Sequence, residues 1–200
     1  MTDPQDTKKR IIKVATRLFA EKGYDNSSIR AIAREARVNL CAISYHFGGK
    51  EGLYQAVLSQ NLDEMLTWTD LLEMDNEIEA LKIFLIRHFM LIRRRGPEIG
   101  VLLSREMAGN GKRLSFVTGR YFKPMLESME NIMARAIKKG VFRRVDPKLA
   151  VAGLIAQEIF FARSDTLIKQ VLGEDVLDTD FFRQVMDHCF DIFLAGVLKR

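Results

Sequence analysis

Cysteine, proline and tryptophan are scarce in this 200-residue sequence, at two, four and one respectively, and their scarcity narrows the choices. Cys41 and Cys189 lie far apart and neither belongs to a close pair, so neither a disulfide framework nor a structural zinc site is expected. No apolar run approaches the roughly 18 residues that a membrane-spanning helix needs. The most apolar stretch, Val151 to Ala162, is interrupted by Gln157 and Glu158. The opening residues, MTDPQDTKKR, have no apolar segment of the kind a secretory signal requires, and a cytoplasmic location is expected. Alternating runs of Val, Ile and Thr are missing too, which argues against strands. No phosphate-cradling glycine motif occurs. The three histidines, His46, His88 and His188, have no carboxylate or cysteine at metal-ligand or triad spacing along the chain. An enzyme, a metal site and a cofactor are therefore not expected, and His88, on an apolar helical stripe, reads as a core histidine.

What the sequence does have is apolar residues recurring three and four positions apart almost throughout, with 48% of the chain hydrophobic, enough to bury a core. The fold class is all-α. A first helix opens near Thr7, puts Ile11, Ala15, Leu18 and Phe19 on one stripe and stops at Gly23. Ser27 or Ser28 caps a second helix whose inner face is Ile29, Ile32, Ala33 and Ala36. After a tight turn at Arg37 and Val38, Asn39 caps a short third helix to Phe47, and Gly48 and Gly49 break the chain before Lys50 and Glu51 begin a fourth. Three short helices with a tight turn between the second and third make a minimal DNA-reading unit. The fourth helix is expected to run on to about Glu73 as a long connector. Further helices are expected over about 76–95, 97–107, 114–139 (restarted by Pro124), 147–172 and 179–198, about nine in all. The segment AGNGKR between two of them reads as a loop. Charge follows the same division. Residues 1–60 hold ten Lys and Arg against six Asp and Glu, and the remaining 140 carry only one of the five net positive charges. A basic head on a nearly neutral body suits a phosphate backbone, and equally suits an ordinary solvated face.

Three patterns stand in order within residues 8–58: A-x-x-L-F-x-x-x-G-Y at Ala15 to Tyr24, I-A-x-x-A-x-V at Ile32 to Val38 and Y-H-F-x-x-K-E-x-L at Tyr45 to Leu53. Together they strongly resemble the DNA-binding head of the TetR family. Farther on, REMAG near Arg105 and GVFRRVDP near Gly140 resemble a CecR-like subgroup of that family. Arg37 is a departure, standing where the family usually has glycine in the turn; it either alters the turn slightly or reaches the DNA. The resemblance implies a helix-turn-helix DNA-binding domain at 1–52 and a helical ligand-binding and dimerisation domain at 53–200. Its partners would be double-stranded operator DNA and a second copy of the chain.

Within the third helix, Asn39, Leu40, Cys41, Ala42 and Ser44 are expected to face outward while Val38, Ile43 and Phe47 face inward. Small side chains there allow close approach to base edges. Tyr45, His46 and Lys50 are candidates for phosphates, with Ser27 and Ser28 at the matching place on the second helix; a serine there is just as often a plain cap, and Tyr45 can also pack. In the body, Met65, Trp68, Phe89, Met107, Phe122, Met125 and Met129 belong to a stretch rich in thioethers and aromatics, which either line a cavity for a hydrophobic or aromatic small molecule or simply form core. Arg105, Glu106, Glu158 and Arg163 would orient a ligand there, or else sit in surface salt bridges. Val151, Leu154, Ile155 and Ile159, with Phe182, Val185, Met186, Cys189 and Phe193, suggest that the last helical stretches, 147–172 and 179–198, form a two-fold dimer interface. The function expected is a transcriptional repressor released by a small molecule. A helical interaction or adaptor protein with a TetR-like body is the alternative.

Overall fold

The computed structural model describes residues 4–94, 96–108, 113–175 and 178–199. Its α-helices are α1 (Pro4–Asn26), α2 (Ile29–Glu35), α3 (Leu40–Phe47), α4 (Lys50–Leu62), α5 (Glu77–Arg94), α6 (Pro97–Ala108), α7 (Leu114–Val117), α8 (Lys123–Lys138), α9 (Pro147–Arg163), α10 (Asp165–Leu172) and α11 (Thr179–Val197). A 3₁₀ helix follows α4 over Asp63–Glu73, and a π-helical turn precedes α8 over Thr118–Phe122. Among the described residues the extended pairing is an isolated antiparallel bridge between Phe142 and Leu198. No described helix is long and apolar enough to cross a membrane. Of the expected loop AGNGKR, residues 109–112 lie outside the described residues.

The helix signals read from the sequence act where expected. Gly23 breaks the helical path of α1 at φ 80°, and Gly48 closes α3 in the left-handed conformation at φ 71°, which glycine adopts without a Cβ penalty. Asp146 caps α9 through Lys148 N and Leu149 N, and Asp178 caps α11 through Asp180 N and Phe181 N. Pro124 lies in the first turn of α8, so the stretch 114–139 restarts there as its missing N–H requires. The expected long connector behaves differently. Its α-helical part ends at Leu62, and the chain tightens into 3₁₀ geometry where Thr67 and Thr69, poor helix formers, flank the buried Trp68. The expected helix 147–172 is likewise two helices, divided at Ser164.

The chain forms two compact units. One comprises residues 1–64 with 95–120, the other residues 65–94 with 121–200. In the first, Ile11, Ala15, Phe19, Ile32, Ala36, Ile43, Leu53, Val57 and Leu58 form the interior where α1 to α4 meet. A Cβ at Gly52 would overlap the carbonyl oxygen of Phe47, so only glycine lets α4 start this close behind α3. Helix α6 also packs on α1 within this unit. In the second unit α5, α8, α9 and α11 enclose Leu81, Phe84, Phe89, Ile132, Met133, Val151, Leu154, Met186, Cys189 and Phe190.

Candidate nucleic-acid interface

The turn between α2 and α3 begins where the backbone runs out of helical partners. Ala36 N bonds Ile32 O at 2.8 Å, Arg37 N bonds Arg34 O at 3.2 Å, and Val38 N reaches back to Ala33 O at 3.0 Å. This wrap forces Arg37 into the left-handed region at φ 53°, the one non-glycine residue with positive φ among the described residues. A left-handed conformation costs a residue with a side chain about 1–2 kcal/mol, which gives a physical reason for glycine to be favoured there. The Arg37 side chain is exposed on the turn.

Asn39 opens α3, its side-chain oxygen accepting from Cys41 N at 2.9 Å. Ile43 is fully buried and anchors the helix. On its outer side Asn39, Cys41, Ser44 and Tyr45 are exposed, Tyr45 at 85%, and Leu40, Ala42 and His46 are half-buried. Nothing in the unit's own packing explains an 85% exposed aromatic at this position. Tyr45 makes an edge contact with His46, centroid to centroid 5.0 Å. Phe47, expected inside, is half-buried, with the ammonium of Lys8 6.0 Å from its ring.

The two serines before α2 part company. Ser28 is exposed and caps the helix, accepting from Ala31 N at 3.1 Å. Ser27 is buried at 2% exposure, its hydroxyl 2.7 Å from Gly23 O and 3.0 Å from Leu18 O. That hydroxyl therefore ties the break in α1 to its own helix, and it stands inside rather than on the outer surface.

Lys50, in the first turn of α4, is held by a network that single-residue reading missed. Its ammonium lies 4.4 Å from the centre of the Tyr24 ring and donates to Asp25 O at 3.2 Å. Burial depresses its pKa, the neighbouring Asp25 charge works against that, and Arg113 adds to it. The Arg113 guanidinium also lies over Tyr24, at 3.7 Å, and pairs with Asp25 at 2.7 Å and with Glu106 at 3.7 Å. Glu106 accepts from the buried Tyr54 hydroxyl at 2.9 Å. Burial first, and the Glu106 hydrogen bond second, push the Tyr54 phenol well above its ordinary range. Arg105 donates to Glu21 O at 3.2 Å. Arg105 and Glu106 on α6, and Arg113, are thus fastened to α1 and α4 beside Lys50. The motif supplies Tyr24, but Glu106 and Arg113 lie 52 and 88 residues from the partners they meet, Tyr54 and Asp25, and no periodicity signals them.

Residues 11–57 match the family described as bacterial regulatory proteins, tetR family, and residues 98–200 match the Tetracyclin repressor-like C-terminal domain. The chain belongs to the TetR family. It is a DNA-binding transcriptional regulator. RutR of Escherichia coli K12, an HTH-type transcriptional regulator, is 28% identical over 195 residues, covering 96% of this chain and 91% of RutR. UidR of the same strain is 32% identical over 65 residues, covering 32% of this chain and 33% of UidR. Among solved structures, the hemolysin II transcriptional regulator HlyIIR has a TM-score of 0.70 at 24% identity, covering 99% of this chain and all of that one. AibR, in complex with isovaleryl coenzyme A and operator DNA, has a TM-score of 0.69 at 19% identity over 93% of this chain and 97% of AibR.

The residues named for a ligand fall in different places within this TetR-family chain. Met65, Trp68, Phe89 and Met129 are buried in the second unit, and Phe122 and Met125 are half-buried there. Glu158 is fully buried, and the structure gives His88 the carboxylate partner that local spacing did not: Nδ1 lies 2.6 Å from Glu158 Oε2. Arg163 is exposed in the second unit, while Arg105 and the 59% exposed Met107 belong to the first. A cleft of about 510 Å³ between α1 and α4 is lined by Lys8, Lys9, Ile12, Ala56 and Gln60 among others, and by none of the residues named for a ligand. On α9, Val151 and Leu154 turn into the unit's own core. The outward face is instead Leu149, Ala152, Gly153, Ala156, Ile159 and Phe160.

Proposed function

We propose that this regulator is a repressor that binds operator DNA as a homodimer in the cytoplasm and is released from it by a hydrophobic or aromatic small molecule. DNA reading is assigned to residues 1–52, and ligand sensing and dimerisation to residues 53–200. The observation that carries the DNA half is the outer face of α3, where Tyr45 is 85% exposed beside Ser44 and Cys41. Asn39, Leu40, Cys41, Ala42 and Ser44 would meet base edges. Tyr45, His46, Lys50 and Ser28 would meet phosphates, with Arg37 reaching the backbone from the turn.

Dimerisation is supported by the outward stripe of α9, Leu149, Ala152, Gly153, Ala156, Ile159 and Phe160, together with exposed Ile192, Ala195 and Gly196 on α11. An apolar helical face with small residues at its centre lets two helices approach closely, and a two-fold axis would pair it with itself. AibR, of the same fold, has been seen in complex with isovaleryl coenzyme A and operator DNA, which supports a small-molecule ligand for a DNA-binding regulator of this fold.

The test is selection of bound genomic fragments followed by mobility-shift titration across a salt series. Lys50→Ala should weaken binding to every sequence and reduce the slope of log K against log salt by about 1 per subunit, because a phosphate contact is lost. An unchanged slope removes Lys50 from the interface. Failure to enrich any sequence removes the DNA-reading assignment.

A further inference from the structure

We infer that the buried pair of Glu158 and His88 is the ligand-reading element of this regulator, and that its ligand is an apolar or aromatic small molecule carrying an N–H donor, a protonated amine above all. The inference rests on the ligand-responsive reading above and narrows the class of ligand.

Glu158 lies on α9 with no exposure at all, deep in the second unit. Its Oε2 shares a hydrogen bond with His88 Nδ1 on α5, whereas its Oε1, also buried, has no hydrogen-bond partner among the described residues. A buried carboxylate needs its lone pairs met, because removing one from water without a donor is costly. If the pair were only a strut between α5 and α9, an amide or an apolar contact would do the same work without leaving an acceptor idle. The described ion pairs give Glu158 no lysine or arginine.

The site favours positive charge. Phe84 stacks on the His88 ring at 5.6 Å and 17°, and Trp68 stands edge-on to both, 5.9 Å from Phe84 and 6.5 Å from His88. These rings flank His88 rather than the carboxylate, so the preference is set by Glu158 itself: an idle carboxylate oxygen accepts from a cation or an N–H donor and offers an anion nothing. The Glu158 charge is also felt at Cys189, whose thiol burial, and then that charge, push up to about 11. Arg163, also named from the sequence as able to orient a ligand, is five residues on from Glu158 along the helix, and exposed.

Trp68 is the protein's one tryptophan, so intrinsic fluorescence reports on this site directly. The probes are primary amines of increasing size, from butylamine to phenethylamine, each with its matched alcohol and carboxylate, scored by Trp68 fluorescence and by release of a selected operator fragment. At least one amine is expected to shift the fluorescence saturably and to release operator, at least about tenfold more tightly than its alcohol, with no response to the carboxylate. In Glu158→Gln that preference for amine over alcohol should collapse to about one while helical circular dichroism is kept. Three results overturn the inference: an alcohol or carboxylate matching its amine, an undiminished preference in Glu158→Gln, or no response to any amine. The comparison on the parent protein decides the matter even if the variant does not fold. The ligand-responsive reading fails separately, and only if a broad thermal-shift screen finds no compound of any charge that releases operator.

Discussion

The two compact units treat their buried polar groups in opposite ways. In the unit holding α1 to α4 with α6 and α7, every buried polar side chain described has its partner: Ser27 its two carbonyls, and Glu106 the Tyr54 hydroxyl and Arg113. In the other unit Glu158 keeps an idle oxygen, and Glu77, whose carboxyl the neighbouring Lys139 and Arg135 draw below its ordinary range against burial, depends on partly exposed cations at 2.7 and 3.4 Å. On the reading proposed above, the first unit would hold one shape against base edges, and the idle oxygen of the second is the acceptor left for a ligand.

The largest test of that division is energetic. Phe19 is fully buried in the first unit against Tyr24 and Tyr54, at 5.8 and 5.1 Å, and Phe19→Ala should cost that unit about 3–5 kcal/mol. Circular dichroism reads helices of both units, whereas Trp68 fluorescence reads only the second. In denaturant the variant should lose helicity before fluorescence. Coincident transitions would mean that the units unfold as one.

A smaller effect belongs to the second unit alone. The raised Cys189 thiol keeps its proton in the folded state while the unfolded thiol, with a pKa near 9, loses it. The stabilising contribution is therefore complete below pH 9 and disappears as pH rises toward 11, a loss of about 2 kcal/mol. Cys189→Ala should flatten the pH dependence of unfolding in that window relative to the parent, as followed by Trp68. An identical slope in the variant would assign the alkaline loss to other groups.

The smallest effect expected is at Arg37. Arg37→Gly should relieve the left-handed conformation and stabilise the first unit by up to about 1 kcal/mol. If operator affinity falls at the same time, the arginine is retained for contact at the expense of stability. If it does not, the strained residue has no role in DNA binding.

Legibility in the sequence followed the range of the interactions. Helices α1 to α3 and the start of α4, with the stops at Gly23 and Gly48, a serine cap at 27 or 28 and the cap at Asn39, were readable because each signal is complete within one or two turns. The unusual turn at Arg37 was readable because a family pattern set a glycine against it. The end of α-helical geometry at Leu62 was not, since the apolar periodicity of 53–65 continues into the 3₁₀ helix and only the setting of Trp68 distinguishes the two. Ser27 and Ser28 were indistinguishable by type, and only the reversal at Gly23 turns one inward. Glu158 and His88 were each noticed, but 70 residues separate them and no local pattern joins them.

The fastening of Glu106 and Arg113 to Tyr54, Tyr24 and Asp25 also bears on the construction of chimeric regulators. A transplant cut at residue 64 would carry α1 to α4 but leave α6 and Arg113 behind. The Tyr54 hydroxyl would then lose its carboxylate, and the Tyr24 ring would lose the guanidinium that covers it. Exchange of DNA specificity between relatives should therefore succeed when residues 95–120 travel with the head, or when the recipient supplies an acid and an arginine at the same two places. A donor boundary drawn by sequence order alone would yield a head whose lysine at position 50 has lost the neighbours that hold it.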